Sequence, residues 1–318
     1  MTASPSEPIA GVWAAIPTPF APDGALDLRG VAANAVQYAG RFGCDGVFCN
    51  GVMGEGWALT VAERQDVLSA ILDAAGDRLK VGVVATHQAP AETLALCRHA
   101  GKVGAHHVVL MRPRGLYEDD ELIAFCQAAA EASGGPAAIF ESPAAGMGFG
   151  ARVIEALAAK GLVLAVKATG GDKAAAGLRR DLGDAALICD PHEARFLSEL
   201  ARAPDAPLYA DPEPYLYQAA GARPIRAYRD AARAGDWTTA HAIARTLTPL
   251  RAVYDRWIIG RLDRGRSPVP GLKHWAARIG LAAGPPRFPL RPLAAAEARD
   301  LDAALDAAGV PAAQGTER

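Results

Sequence analysis

The chain has 318 residues, 51% of them hydrophobic, which suits one large α/β domain with an appendage. Its 33 basic and 35 acidic residues are scattered and leave a net charge of −2, so neither nucleic acid nor an anionic membrane surface is expected as a partner. No apolar run reaches transmembrane length, and Met1–Pro8 lacks the basic and apolar regions of a secretory signal; the expected location is cytoplasmic.

In chain order, apolar runs predict strands at Val12–Pro17, Gly46–Asn50, Lys80–Ala85, His106–Met111, Ala137–Glu141, Leu162–Lys167, Ala186–Asp190 and Leu208–Ala210. Helical patterns alternate with them at Leu28–Phe42, Val61–Ala75, Ala91–Val103, Asp119–Ala132, Ala151–Ala159, Ala174–Leu182 and Glu193–Leu200. Strand then helix, repeated about eight times, points to a parallel sheet. The repeat fits a (β/α)8 barrel over residues 8–222. An open doubly wound sheet is the alternative, but no GxGxxG follows the first strand. After about Gly221 the strands stop, and Pro224–Ala234, Trp237–Asp263, His274–Leu281 and Ala294–Ala308 read as helices. Residues 223–310 are therefore expected as a C-terminal helical region packed on the barrel, with a frayed tail at Gln314–Arg318.

The five cysteines, Cys44, Cys49, Cys97, Cys126 and Cys189, are odd in number and have no CxxC or zinc-type spacing. They read as reduced, buried thiols, and no metal site is expected.

Chemistry gathers at the ends of three predicted strands. The sixth, Leu162-Val163-Leu164-Ala165-Val166-Lys167, is apolar until its last residue. Such a run is buried on both faces of a parallel sheet. Lys167 then sits at the C-terminal mouth, where barrel active sites form. Burial disfavours an ammonium, and a neutral amine there attacks a carbonyl to form a Schiff base. The plain alternative is a lysine that ends a strand and reaches water. The second strand ends in Gly51-Val52-Met53-Gly54-Glu55, whose glycines allow a tight turn with N–H groups converging on one spot, a cradle for a carboxylate. The plain alternative is an ordinary strand-to-helix turn. The fifth strand ends in Phe140-Glu141-Ser142-Pro143.

These segments resemble the dihydrodipicolinate synthase/N-acetylneuraminate lyase family of Schiff-base aldolases and dehydratases. Ile16-Pro17-Thr18-Pro19-Phe20 with Asp23-Gly24 is similar to its opening strand and loop. Gly51-Val52-Met53-Gly54-Glu55 is similar to its G-[TS]-T-G-E turn, and Leu59-Thr60-Val61-Ala62-Glu63-Arg64 to the L-[ST]-x-x-E-R that follows. Phe140-Glu141-Ser142-Pro143 occupies its Y-N-x-P segment, Val166 to Asp172 resembles [IV]-K-[DE]-x-[ST]-G-D, and Gly235-Asp236-Trp237 opens a stretch resembling its late helix. The resemblance implies a (β/α)8 barrel, a homotetramer or homodimer, and a 2-oxo acid such as pyruvate held as an imine on Lys167. The carboxylate would rest on the N–H groups of Val52 and Met53. Gly51, Phe140, Glu141 and Thr169 are expected to line the substrate site, although strand alternation aims Glu141 away from Phe140's direction unless the strand ends first. No organic cofactor is implied, because the iminium is the electron sink.

The chain departs from the pattern where protons move. Phe140 stands where the family has a tyrosine, and Val52 and Met53 replace the hydroxyls of the turn. Around the last two strands, Asp190-Pro191-His192-Glu193 and Leu208-Tyr209-Ala210-Asp211-Pro212 replace the family's segments. His87, after the third strand, and Tyr117, in the loop after the fourth, are candidate acid–base replacements beside Lys167. A surface histidine and a packing tyrosine are the plain alternatives. Arg112 is a candidate for a second substrate carboxylate. The expected function is a lyase, aldolase or dehydratase, acting on a 2-oxo acid. A catalytically impaired relative that binds a 2-oxo acid in a regulatory or scaffolding role is the alternative.

Overall fold

The structure, a computed structural model, describes residues 7–142, 146, 148–218 and 222–313. Pro143 of the fifth-strand motif, the junction at Gly221 and the tail Gln314–Arg318 lie outside them. Eight strands run in the order β7-β6-β5-β4-β3-β2-β1-β8: β1 Val12–Ala15, β2 Gly46–Cys49, β3 Lys80–Val84, β4 His107–Met111, β5 Ala137–Glu141, β6 Val163–Ala168, β7 Ile188–Cys189 and β8 Leu208–Tyr209. All pair in parallel, and β1 pairs with both β2 and β8. The sheet therefore curls into a barrel, and only the β7–β8 step lacks a ladder among the described residues. These two strands have two residues each, shorter than the runs expected from the sequence.

The helices are α1 Leu28–Gly40, α2 Val61–Ala75, α3 Pro90–Val103, α4 Asp119–Ser133, α5 Ala151–Ala159, α6 Asp172–Leu182 and α7 Phe196–Arg202, each following the strand of its number. Their starts are written locally. The Asp27 side chain accepts from Gly30 N–H at the start of α1, and Thr60 and Glu63 form a reciprocal capping box at the start of α2. A short α8, Glu213–Tyr217, follows β8 and was not expected from the sequence.

The C-terminal region contains α9 Pro224–Arg233, α10 Trp237–Thr246, α11 Thr248–Tyr254, α12 Gly260–Leu262, α13 Val269–Arg278 and α14 Ala295–Ala307. The single helix expected over Trp237–Asp263 is divided. α11 starts afresh at Thr248 with Pro249 in its first turn, and a π-helical turn at Asp255–Ile259 separates α11 from α12. That turn delivers Ile259 and Leu262 to the barrel mouth.

The barrel interior is packed from its N-terminal end upward. Trp13, His107 and Tyr209 fill the bottom, with ring centroids 5.2 Å (Trp13–His107) and 5.7 Å (Trp13–Tyr209) apart. Gly46 and Gly82 make room: a Cβ at either would fall 2.4 Å from the Trp13 ring or 2.6 Å from the His107 ring. Phe48 stacks on Tyr209 at 4.8 Å and forms the next layer. Lys167 lies above Phe48, so everything beneath the amine is closed to water.

Candidate active site

Lys167 is 1% exposed near the end of β6, in register with Phe140 on β5 and Cys189 on β7. Strand alternation sends Lys167 inward and its neighbours Val166 and Ala168 outward. Its Nζ lies 4.7 Å from the Phe48 ring centroid and 5.3 Å from that of Phe140. A buried ammonium needs a partner, and it has one: Nζ donates to Asp211 Oδ1 at 2.5 Å. Asp211 follows β8 by two residues, and its carbonyl accepts from Ala15 N–H of β1 at 3.3 Å. The carboxylate is thus held over the axis by the same hydrogen bonding that joins β8 to β1.

A cavity of about 170 Å³ opens above the amine. Gly51, Val52, Met53, Phe140, Lys167 and Thr169, all expected from the sequence, line it, together with Ser142, His192 and Asp211. The N–H groups of Val52 and Met53 meet no acceptor among the described residues, as a carboxylate cradle requires. The turn is held rigidly. A Cβ at Gly56 would stand 1.9 Å from the Asn50 carbonyl, and Asn50 and Glu55 take positive φ of 60° and 52°. Thr18 Oγ1 donates to the Gly54 carbonyl at 2.7 Å. Glu55 is fully buried, pairs with Lys273 at 2.7 Å and accepts from Arg287 N–H at 2.8 Å. Burial pulls the Lys273 ammonium below its ordinary range, and Glu55 pulls it back. The cradle is therefore anchored from α13 and the segment beyond it.

Four expected site residues lie elsewhere. Glu141 points outward, as alternation from Phe140 demands, and its carboxylate accepts from Phe149 N–H at 2.6 Å and Gly150 N–H at 3.2 Å. It caps the approach to α5 instead of meeting substrate, and burial holds its carboxyl above the ordinary range. His87 accepts from Ala89 N–H at 3.1 Å in the lead-in to α3 and does not line the cavity. Tyr117 packs against the core and over Gly115, outside the lining. Arg112 is half-buried outside the cavity, where its charge acts on Glu141. For His87, Tyr117 and Arg112 the loop, whose course the strand pattern does not set, carries the side chain away. Cys49 is a buried thiol pushed up to about 12 by burial, in keeping with a packing role.

The groups missed lie at the mouths of β7 and β8. After β7, Asp190 holds Arg195 through two contacts of 2.6 and 2.7 Å and accepts from His192 N–H at 3.0 Å. Glu193, 1% exposed, accepts from Tyr228 Oη and from Arg251 of α11 at 2.8 Å each. With its neighbours committed, His192 is left to face the cavity. Burial lowers the imidazolium's range, Arg195 and Lys167 lower it further, and Asp211 and Asp190 oppose them. His192 Nδ1 is 4.0 Å from Glu213 Oε1, whose buried carboxyl is held well above its ordinary range by burial and then by Asp211. The signal available in the sequence was position: an acid and a histidine just past the last two strands, where barrel sites gather.

The arrangement offers a desolvated amine, a carboxylate in contact with it, a titratable imidazole and a free backbone cradle around one space. Residues 8–201 match the model of the dihydrodipicolinate synthetase family. The chain is 28% identical to N-acetylneuraminate lyase of Rhizobium meliloti over 288 residues, covering 88% of this chain and 89% of that one. It is 34% identical to 4-hydroxy-tetrahydrodipicolinate synthase 2 of Streptomyces coelicolor over 143 residues, which is 45% of this chain and spans about half, 48%, of that relative. YagE, a prophage protein of Escherichia coli K12 solved in complex with pyruvate, superposes with a TM-score of 0.80 at 20% identity, over 95% of this chain and 99% of that one. The chain belongs to the dihydrodipicolinate synthetase family.

Proposed function

We propose that this protein is a class I lyase, an aldolase or dehydratase, that binds a 2-oxo acid as an imine on Lys167 and moves the protons of that reaction through Asp211. The observation that carries the reading is the 2.5 Å contact between a 1% exposed amine and a carboxylate at the floor of a cavity. Asp211 takes a proton from the ammonium, and the freed amine attacks the substrate's C2 carbonyl. Asp211 then returns that proton to the new alkoxide and removes one from nitrogen. It finally protonates the carbinolamine hydroxyl, which leaves as water as the nitrogen lone pair forms the C=N bond. The iminium accepts the electron pair of a C–C bond broken, or a C3–H bond deprotonated, beside it. The N–H groups of Val52 and Met53 hold the substrate carboxylate. His192, kept neutral by its surroundings, is the group available to exchange protons with the departing or entering half of the substrate.

A regulatory protein that only binds a 2-oxo acid is the second reading, favoured by Phe140, Val52 and Met53. It gives no reason for an acid and an imidazole around the amine. Incubation with pyruvate, reduction with borohydride and peptide mass spectrometry tests the choice. Imine chemistry predicts a reduced adduct on the Lys167 peptide, lost in Lys167→Ala. Calorimetric binding of pyruvate without any adduct points to the regulatory reading.

A further inference from the structure

The cavity is two-sided. Its polar side chains, Ser142, Lys167, Thr169, His192 and Asp211, all come from the ends of β5 to β8. The wall from β3 to β5 is hydrocarbon: Val84 of β3, Val109 and Met111 of β4 and Phe140 of β5, and Ile259 and Leu262, from the π-helical turn and α12, add hydrocarbon to the lining. Leu262 is 41% exposed, so the hydrocarbon lining reaches out to solvent there. Among the described residues that line it, Lys167 is the only lysine or arginine, and Asp211 already neutralises it. Arg112, the candidate for a second carboxylate, lies outside.

From this lining we infer that the substrate carries one carboxylate only and that its part beyond the reacting carbons is apolar, an aromatic ring or a branched aliphatic chain. The inference rests on the imine reading above. A second carboxylate against this wall would be stripped of water with no cation to meet it, and sugar hydroxyls would lose their hydrogen bonds without replacement. A hydrocarbon group loses nothing by entering. The whole cavity measures about 170 Å³, against about 150 Å³ for a hydrocarbon-lined cavity that holds benzene alone, so with the 2-oxo acid part on Lys167 an apolar group would extend toward the mouth. Each methylene matched to an apolar pocket is worth roughly 10–200-fold in selectivity.

Borohydride trapping of the full-length protein with three 2-oxo acids tests this. 2-Oxo-4-phenylbutanoate should half-saturate adduct formation on Lys167 at a concentration at least tenfold below that for pyruvate, and 2-oxoglutarate at least tenfold above it. Met111→Arg, which puts a cation on the apolar wall, should lower the half-saturating concentration of 2-oxoglutarate at least tenfold relative to that of pyruvate in the same variant. If the native protein traps pyruvate but takes 2-oxoglutarate as readily as the phenyl compound, the substrate class is wrong and the imine reading stands. If none of the three gives an adduct, the imine reading falls and takes this inference with it.

Discussion

Asp211→Asn is the most informative single change. It keeps the shape of the side chain, removes its charge and prevents it from taking the Lys167 proton. Two magnitudes follow. Breaking one side of a buried ion pair costs about 3–5 kcal/mol. Here Asp211 is 16% exposed, and the ammonium keeps its contacts with the faces of Phe48 and Phe140, so a cost just below that range, about 2–3 kcal/mol, is expected. For chemistry, one positioned acid–base group contributes roughly 10²–10⁴-fold. Asp211 serves several proton transfers in imine formation, so trapping should slow by at least about 10²-fold, equivalent to about 2.7 kcal/mol in the barrier. Stability is read from urea midpoints, alone and in a Lys167→Met background. With no ammonium to strand, the double variant should recover most of the loss. The rate is read by timed borohydride quenching with saturating pyruvate. The reasoning is refuted if Asp211→Asn forms its adduct within about threefold of the native rate, or if it destabilises equally with and without Lys167.

Phe140→Tyr places a hydroxyl on the ring that already lies 5.3 Å from the amine, and in the Asp211→Asn background it should restore adduct formation at least tenfold; no rescue in a folded protein would mean that Phe140 is not where the relay was lost. Lys273→Met strands Glu55 in the core at a cost of about 3–5 kcal/mol, and adding Glu55→Gln should recover part of it; equal urea midpoints for Lys273→Met and native protein would deny that the ion pair anchors the cradle. His107 is held neutral down to about 3 by burial, so below the ordinary histidine range the unfolded chain binds a proton that the fold refuses. Its contribution is intact above about pH 6.5 and is lost as pH falls, by about 1.36 kcal/mol per unit, or about 2.7 kcal/mol by pH 4.5. His107→Gln keeps a polar partner for Tyr209 without titrating, so its stability deficit at pH 7.5 should shrink by about that amount at pH 4.5; a deficit independent of pH would contradict the assignment.

The barrel was legible because its first six strands are continuous apolar runs bounded by amphipathic helices, and burial on both faces leaves that mark. β7 and β8 were fainter, since two residues of ladder impose little pattern. Lys167 stood out because a lone cation ending such a run has no packing use. The turn from Gly51 to Glu55 was legible for a similar reason: it needs glycine where Gly56 meets Asn50 and Gly54 meets Ile16. What anchors it was not, because Lys273 is more than two hundred residues from Glu55 and reads as an ordinary helix lysine. Glu141 was misplaced although its neighbour Phe140 was not; one residue along a strand reverses the direction of the side chain. Asp211 was visible only as a departure from pattern. Its meaning depends on closure of the barrel, which brings the mouth of β8 against the side chain of β6.

The exchange of residues around the cavity has a direction. Hydroxyls expected on the β2 turn and on β5 are hydrocarbon here, while acids and an imidazole stand at β7 and β8, where the expected segments are missing. Each change alone reads as loss of function or as drift. Together, on the proposed reading, they put the proton-handling groups at the ends of β7 and β8 and leave the hydrocarbon from β3 to β5 for an apolar substrate. Substitutions should divide accordingly. Those at Asp211 and His192 should lower kcat with little change in KM, because they act on protons in flight. Those at Val84, Met111, Ile259 and Leu262 should raise KM for an apolar substrate and leave kcat for pyruvate exchange nearly intact, because they supply binding that is equal in ground and transition states.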